Sequence, residues 1–277
     1  MVIEMIVSLL LILLIIGGYF FIKAGKPDKI KNERQVKQQV PTLFIPGYMG
    51  NRFSFGRLMR RFHKYYGANK SIVAIVNKDN SVDMRGEIDA YRPMVQILFR
   101  NKNSRADLQA AGLRNVCQQL YASYQVEEVN LVAHSMGCIT EFWFLTHFLN
   151  ETSLKVKNVV AMGGPFNDSE VARTTRKIES HYLTKKGPIY RNKIYIELEK
   201  KIDNIPENIR ILNIAGNIGD DVKSDGAVSL SSALSLKYLL INSSKRYSEL
   251  VITGREGKHS LLHENSRVDH KIARFIW

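Results

Sequence analysis

Ser135 lies in the run Ala133-His134-Ser135-Met136-Gly137, between the apolar segment Val129–Ala133 and a stretch of helical spacing from Met136 to about Leu149. A sharp strand-to-helix turn would lift such a hydroxyl clear of a sheet. It would also set the hydroxyl at a helix N-terminus, where amides and the helix dipole favour developing negative charge. Small residues two before and two after the serine are required because a tight turn crowds its neighbours, and Ala133 and Gly137 stand there. Without the flanking strand and helix, Ser135 would be no more than an N-cap.

A serine hydroxyl is a weak nucleophile and needs a base, itself oriented by a carboxylate; on such a turn the chain order is serine, acid, histidine. The acids in a loop after a late strand are Asp220, Asp221 and Asp225. Asp225 is the expected acid, because Gly226 permits a turn that aims its carboxylate back along the sheet edge. Asp220 and Asp221 remain rivals, with a solvated loop or a weak cation site as their plain alternative. The expected base is His259, which follows the last strand after a short glycine-containing loop. His263 stands second to it and is better suited to a structural hydrogen bond. His134, beside the nucleophile, is expected to point away from the site and serve local packing.

Acyl transfer also needs two amide donors for the oxyanion, one from the residue after the serine and one from the loop after the first domain strand. Met136 and Tyr48 occupy those places, the latter within Ile45-Pro46-Gly47-Tyr48-Met49-Gly50. His259 and His263 also spell His-x-x-x-His, yet no glutamate lies between them and no third ligand is evident, so neither metal nor cofactor is expected. Cys117 and Cys138 are the only cysteines and read as buried helix residues, with no disulfide framework.

The elements that must position these groups follow the α/β rhythm. Strands are expected at Val40–Pro46, Ser71–Val76, Val129–Ala133, Val156–Met162, Ile209–Ala215 and Glu249–Thr253. Val82–Glu87 and Val95–Phe99 are weaker strands, read as an edge hairpin. Helices are expected at Ala106–Tyr124, Met136–Leu149, Ser231–Leu240 and Asn265–Phe275. The alternation predicts a mostly parallel sheet with helices on both faces. The segment 166–206, long, basic and dotted with aromatics, reads as a cap-like insertion in a domain spanning 40–277.

Ahead of the domain, Met5–Ile22 carries no charge, and as a helix it would span about 27 Å at roughly 1.5 Å per residue. Glu4 before it and Lys23-Ala24-Gly25-Lys26 after it do not resemble a signal-peptide start and cleavage site, so residues 1–22 are expected to be an uncleaved single-pass anchor. Residues 23–39 read as a basic linker able to rest on anionic headgroups. Its lysines and arginine would hold the domain on the cytoplasmic side by the positive-inside rule. The net charge of +14 and pI near 9.7 suit an anionic membrane or wall, and charge alone would equally suit nucleic acid. The site chemistry places the expectation on an acyl ester or lipid and a membrane, without nucleic acid.

Pro46-Gly47-Tyr48, Ala133-His134-Ser135-Met136-Gly137, Ser224-Asp225-Gly226 and His259-Ser260-Leu261-Leu262-His263-Glu264-Asn265 together resemble the α/β-hydrolase family DUF915 of Gram-positive bacteria, whose members are often labelled cell-surface hydrolases. The elbow is also similar to that of small bacterial lipases. The likeness runs from Val40 to Trp277. It implies Ser135 as nucleophile, Asp225 as acid, His259 as base, and cofactor-free, esterase-like activity on acyl esters. Many relatives carry a histidine where this chain has Pro46, which bears on loop geometry more than on backbone amide donors. The cell-surface label and the charge rule point to opposite sides of the membrane. The expected function is therefore carboxylic ester hydrolysis through an acyl-enzyme. An acyltransferase or thioesterase with the same three residues is the enzymatic rival, and an inactive membrane-tethered binding module is the rival outside catalysis.

Overall fold

Apolar runs too short for helices and bounded by glycine or polar residues become buried strands, and in this computed structural model they build one eight-stranded sheet. The structure describes residues 2–26, 40–88, 91–168, 182–219, 223–240 and 246–277. After the N-terminal helix α1 (Val2–Ala24) come β1 (Thr42–Ile45), α2 (Gly56–Tyr66), β2 (Asn69–Val76), β3 (Val82–Gly86), β4 (Pro93–Phe99) and α3 (Ala106–Tyr124). The chain continues through β5 (Glu128–His134), α4 (Met136–Trp143), β6 (Lys155–Met162), the small ribbon β7 (Leu183–Thr184) and β8 (Gly187–Pro188), α5 (Lys193–Glu199) and β9 (Arg210–Asn217). It closes with α6 (Leu230–Leu234), α7 (Leu236–Leu239), β10 (Tyr247–Thr253) and α8 (Ser266–Ile276).

The sheet order is β10-β9-β6-β5-β1-β4-β2-β3, with β3 antiparallel and every other pairing parallel. Both faces are covered, as parallel sheets require. One core packs Leu43, Val95 and Leu131 against α3 and α4 through Leu113, Val116, Ile139 and Phe142. The opposite core packs Phe44, Met94, Val132 and Leu212 against α2 and α8 through Leu58, Phe62, Val268 and Ile272. From β1 the chain steps to one side of the sheet, and from β4 it crosses to the other side at β5. The carboxyl ends of β1 and β5 therefore flank the switch point where α/β sheets hold their ligands.

Register brings specific residues to that edge. Ile45 lies opposite Ala133, and His134 opposite Met162, which in turn pairs with Ile214. The turns after β1, β5, β6 and β9 thus leave the sheet side by side.

Three expectations need correction or refinement. Val82–Glu87 and Val95–Phe99 do not form a hairpin with each other: β3 pairs with β2 at the edge, while β4, buried along its whole length, lies between β1 and β2. The PMVQILF run, apolar but for Gln96, has no solvent face to offer an edge. The expected helix over 231–240 is two short helices, α6 and α7, joined at Ser235, whose hydroxyl donates to the Ser232 carbonyl at 2.7 Å. Helix α1 runs through Ala24, two residues past the expected anchor end.

Of the insertion expected over 166–206, residues 169–181 lie outside the described residues. The remainder is largely tied into the domain. Phe166 packs edge-on to Phe142, Asn192 donates through its backbone and side-chain amides to the side-chain and backbone oxygens of Asn167, and Ile194, Tyr195 and Leu198 of α5 are buried in the first core. The ribbon region exposes Tyr182, Ile189 and Tyr190.

Candidate active site

Ser135 holds φ 57° and ψ −131°, a conformation costly for a residue with a side chain. Its surroundings enforce that turn: the Ser135 amide donates to the Met162 carbonyl at 2.9 Å, and the Cys138 amide donates back to the Ser135 carbonyl at 2.9 Å. A Cβ at position 137 would stand 2.5 Å from the Ile45 carbonyl oxygen, so the small residue expected two places after the serine is a steric requirement. Met136 opens α4 directly behind the hydroxyl.

The turn after β1 lies against the same serine. A Cβ at Gly47 would come within 2.9 Å of the Ser135 Cβ. The Gly50 amide donates to the Gly47 carbonyl at 3.0 Å and the Met49 amide to the Lys102 carbonyl at 2.9 Å, which fixes the loop carrying Tyr48. Tyr48, Met49 and Phe53 present exposed apolar surface beside it.

Asp225 and His259 meet on the neighbouring turns. His259 Nδ1 stands 2.7 Å from Asp225 Oδ2, and the His259 amide donates to the Asp225 carbonyl at 2.8 Å. The other carboxylate oxygen accepts from the amides of Ala227 at 2.9 Å and Val228 at 2.7 Å. Three donors thus orient a carboxylate that is only 1% exposed. With Nδ1–H donating to it, the lone pair of the His259 ring is on Nε2, the atom a general base would use.

Serine and pair converge on Met162 and Gly163. The former holds the Ser135 amide; the latter has φ +59°, and a Cβ there would sit 3.1 Å from His259 Nδ1 and 3.2 Å from Asp225 Oδ2. A side chain at 163 would be strained and would press on the pair.

His134 has a larger place than its expected local packing. Its Nε2–H donates to the His259 carbonyl at 3.0 Å, and its ring lies 4.6 Å from the rings of both His259 and His263. Burial, reinforced by the neighbouring histidines, pushes its pKa well below the usual 6.5, so the ring is held neutral. The strand-turn pattern around Ser135 does not disclose this contact, because it joins residues 125 positions apart.

His263, the second candidate base, has no carboxylate orienting it in the way Asp225 orients His259. Its Nδ1 is 3.5 Å from Glu264 Oε1 without a hydrogen bond, and its carbonyl accepts from Arg61 Nη2 at 2.8 Å. Burial lowers its pKa as well. Asp220 and Asp221 lie outside the described residues. Cys117 and Cys138 are free and fully buried, and burial pushes both thiols up, away from the reactive thiolate. Among the described residues no group of three histidines, cysteines or carboxylates is arranged to hold a metal ion.

The sheet, its switch point and the turn after β5 define the α/β-hydrolase class. Residues 29–277 match the family described as an alpha/beta hydrolase of unknown function, DUF915, and the chain belongs to that family. No curated protein is significantly similar to it. Among solved structures, the lin2722 gene product from Listeria innocua superposes with a TM-score of 0.75 at 22% identity, over 86% of this chain and 93% of that one. A cell surface hydrolase from Lactobacillus plantarum WCFS1, so described, gives 0.65 at 20% identity, over 86% and 90%. Est1E from Butyrivibrio proteoclasticus gives 0.52 at 14% identity, over 90% of both chains. At these identities the likeness is one of fold.

Proposed function

We propose that this hydrolase cleaves carboxylic esters through Ser135, His259 and Asp225, with the backbone amides of Tyr48 and Met136 receiving the oxyanion. His259 Nε2 takes the Ser135 proton as Oγ attacks the ester carbonyl. The tetrahedral oxyanion is stabilised by the two amides. His259 then gives its proton to the departing alcohol, and water, activated by the same ring, releases the acid from the acyl-enzyme. Asp225 keeps Nδ1 protonated and stabilises the imidazolium. No cofactor enters.

The observation that carries this reading is the 2.7 Å contact of His259 Nδ1 with a buried, triply held carboxylate, adjoining the strained Ser135 turn across Met162–Gly163. The exposed Tyr48, Met49 and Phe53 favour an acyl or lipid-like substrate. Helix α1, apolar and exposed from Ile3 to Lys23, is a candidate membrane span, and we read it as a single-pass anchor that keeps the enzyme at such substrates.

The test is turnover of p-nitrophenyl esters of increasing chain length by the full-length protein in detergent, beside Ser135→Ala. The parent is expected to hydrolyse at least part of the series and the variant none of it. Equal turnover by the variant would remove Ser135 from the chemistry.

A further inference from the structure

Where α1 meets the domain, a cleft of about 420 Å³ opens, within the range of roughly 300–1,000 Å³ usual for ligand sites. Phe21 of α1 forms one wall, with Ile75 and Leu98 of β2 and β4 also lining the cleft. Arg52, Lys78, Arg85, Arg100 and Lys102 surround it. None of these five cations has a carboxylate partner among the described residues. Arg52 is spent on the helix: its guanidinium lies 4.8 Å from the Phe21 ring centre and donates to the Phe21 carbonyl at 3.4 Å. Arg100 donates to Asn77 Oδ1 at 2.6 Å. Asp83, on the adjoining strand, accepts from the Asn77 amide at 3.3 Å and makes no ion pair with these cations. Lys78, Arg85 and Lys102 are exposed and uncompensated.

The position of the cleft along α1 supplies the second argument. A helix of 23 residues is about 35 Å long at roughly 1.5 Å per residue, against a hydrocarbon core of about 30 Å. Its last turns, with Tyr19, Phe20 and Phe21, therefore fall at headgroup level, where aromatic rings gather. Lys70 Nζ donates to the Ala24 carbonyl at 3.1 Å and Phe21 packs on Phe53 at 5.5 Å, so the domain is docked on that end of the helix. A cationic cleft with apolar walls at this height matches a molecule that is anionic at one end and apolar at the other.

We infer that the cleft between α1 and the β2–β4 face binds the headgroup of an anionic phospholipid, seating the catalytic domain on the bilayer. The phosphate meets Lys78, Arg85 and Lys102, and the upper acyl chain runs along Phe21. This rests on α1 crossing the membrane, as proposed above. The cleft borders the loop of Tyr48 through Gly50, Asn51 and Lys102, but the inference does not depend on the chemistry of Ser135.

The test reconstitutes the full-length protein in nanodiscs of phosphatidylcholine alone or of phosphatidylcholine with phosphatidylglycerol. It reads the thermal midpoint and, by native mass spectrometry, the lipids retained. Phosphatidylglycerol is expected to raise the midpoint and to be retained in preference to phosphatidylcholine. The double variant Lys78→Glu, Arg85→Glu should lose that preference by roughly tenfold or more, since each cation near an anionic surface contributes about fivefold. Equal midpoints of parent and variant in phosphatidylcholine discs would show that both are folded. Added salt should erode the preference in the parent. Retention of phosphatidylglycerol by the folded double variant at the parent's level would overturn the inference while leaving the anchor standing. So would a midpoint rise given equally by inorganic phosphate or glycerol phosphate, which would make the site one for a soluble anion. Failure of the protein to enter discs at all would instead remove the anchor, and the inference with it.

Discussion

Asp225 and His259 should be far more sensitive to substitution than their chemical twins nearby. Asp225→Asn would keep the geometry but favour the wrong imidazole tautomer, and His259→Ala would remove the base. Asp225→Asn should lower kcat by about 10⁴ and His259→Ala by about 10⁴–10⁶, as in other triads. His263→Ala and Asp221→Asn should cost less than tenfold; steady-state ester kinetics would check the ranking, and a reversal would move the base or acid to the neighbour. Glu141, on α4 behind Ser135, makes a different demand. It is fully buried, neither carboxyl oxygen has a hydrogen-bond partner among the described residues, and burial raises its pKa well above the ordinary 4.5. The folded chain therefore keeps a proton that the unfolded chain releases above about 4.5. Its share of stability is fully present below that pH and is lost as pH rises towards the raised value. Glu141→Gln does not titrate, so its thermal midpoint should gain on the parent's progressively as pH is raised from about 4.5; a gap that stays constant with pH would show that Glu141 does not titrate on unfolding. Ser135, Asp225 and His259 stood out as candidates because each belongs to a local pattern: an elbow, an acid before glycine, a histidine after the last strand. His134 was not, since its bond to the His259 carbonyl depends on tertiary closure.

Among the elements, most strands and the long helix α3 could be read from hydrophobic period alone, and α3 falls on its expected residues. Helix α2 was missed. In GRLMRRFHKYY only Leu58, Met59 and Phe62 are buried, and cations on the other positions mask so short a stripe. It nonetheless braces the histidine segment: Arg61 binds Asp269 through two nitrogens, Glu264 Oε2 at 2.9 Å and the His263 carbonyl. One guanidinium ties α2 to α8 and to the stretch that begins at His259. Breaking a partly buried network of this kind costs up to about 3 kcal/mol, or roughly 5–10 °C of Tm in a domain this size. Arg61→Ala should show that loss by calorimetry and also lower kcat by loosening His259. An unchanged Tm would mean that the network adds nothing to stability. The misplaced hairpin has a comparable cause, for a polar, half-exposed β3 beside an apolar β4 looks like an edge pair until the crossover is known.

For the whole molecule, the fold class and the apolar N-terminal helix were both written in composition and period, whereas the docking of α1 on Arg52, Phe53 and Lys70 was not, because it depends on surfaces distant in sequence. If α1 is an anchor, the protein should stay with membranes through high salt and alkaline carbonate and leave them only in detergent. Exposed charges alone would release in salt, their reach being about 8 Å at physiological ionic strength and shorter above it. Protease added to intact cells would then report which side the domain faces. The most direct measurement of the catalytic proposal is labelling of the intact full-length protein with a fluorophosphonate, followed by mass mapping of the adduct. One phosphonyl group is expected, on Ser135, absent from Ser135→Ala and strongly slowed in His259→Ala. Labelling that persists in Ser135→Ala, or that maps to another serine, would contradict the assignment of Ser135 as nucleophile.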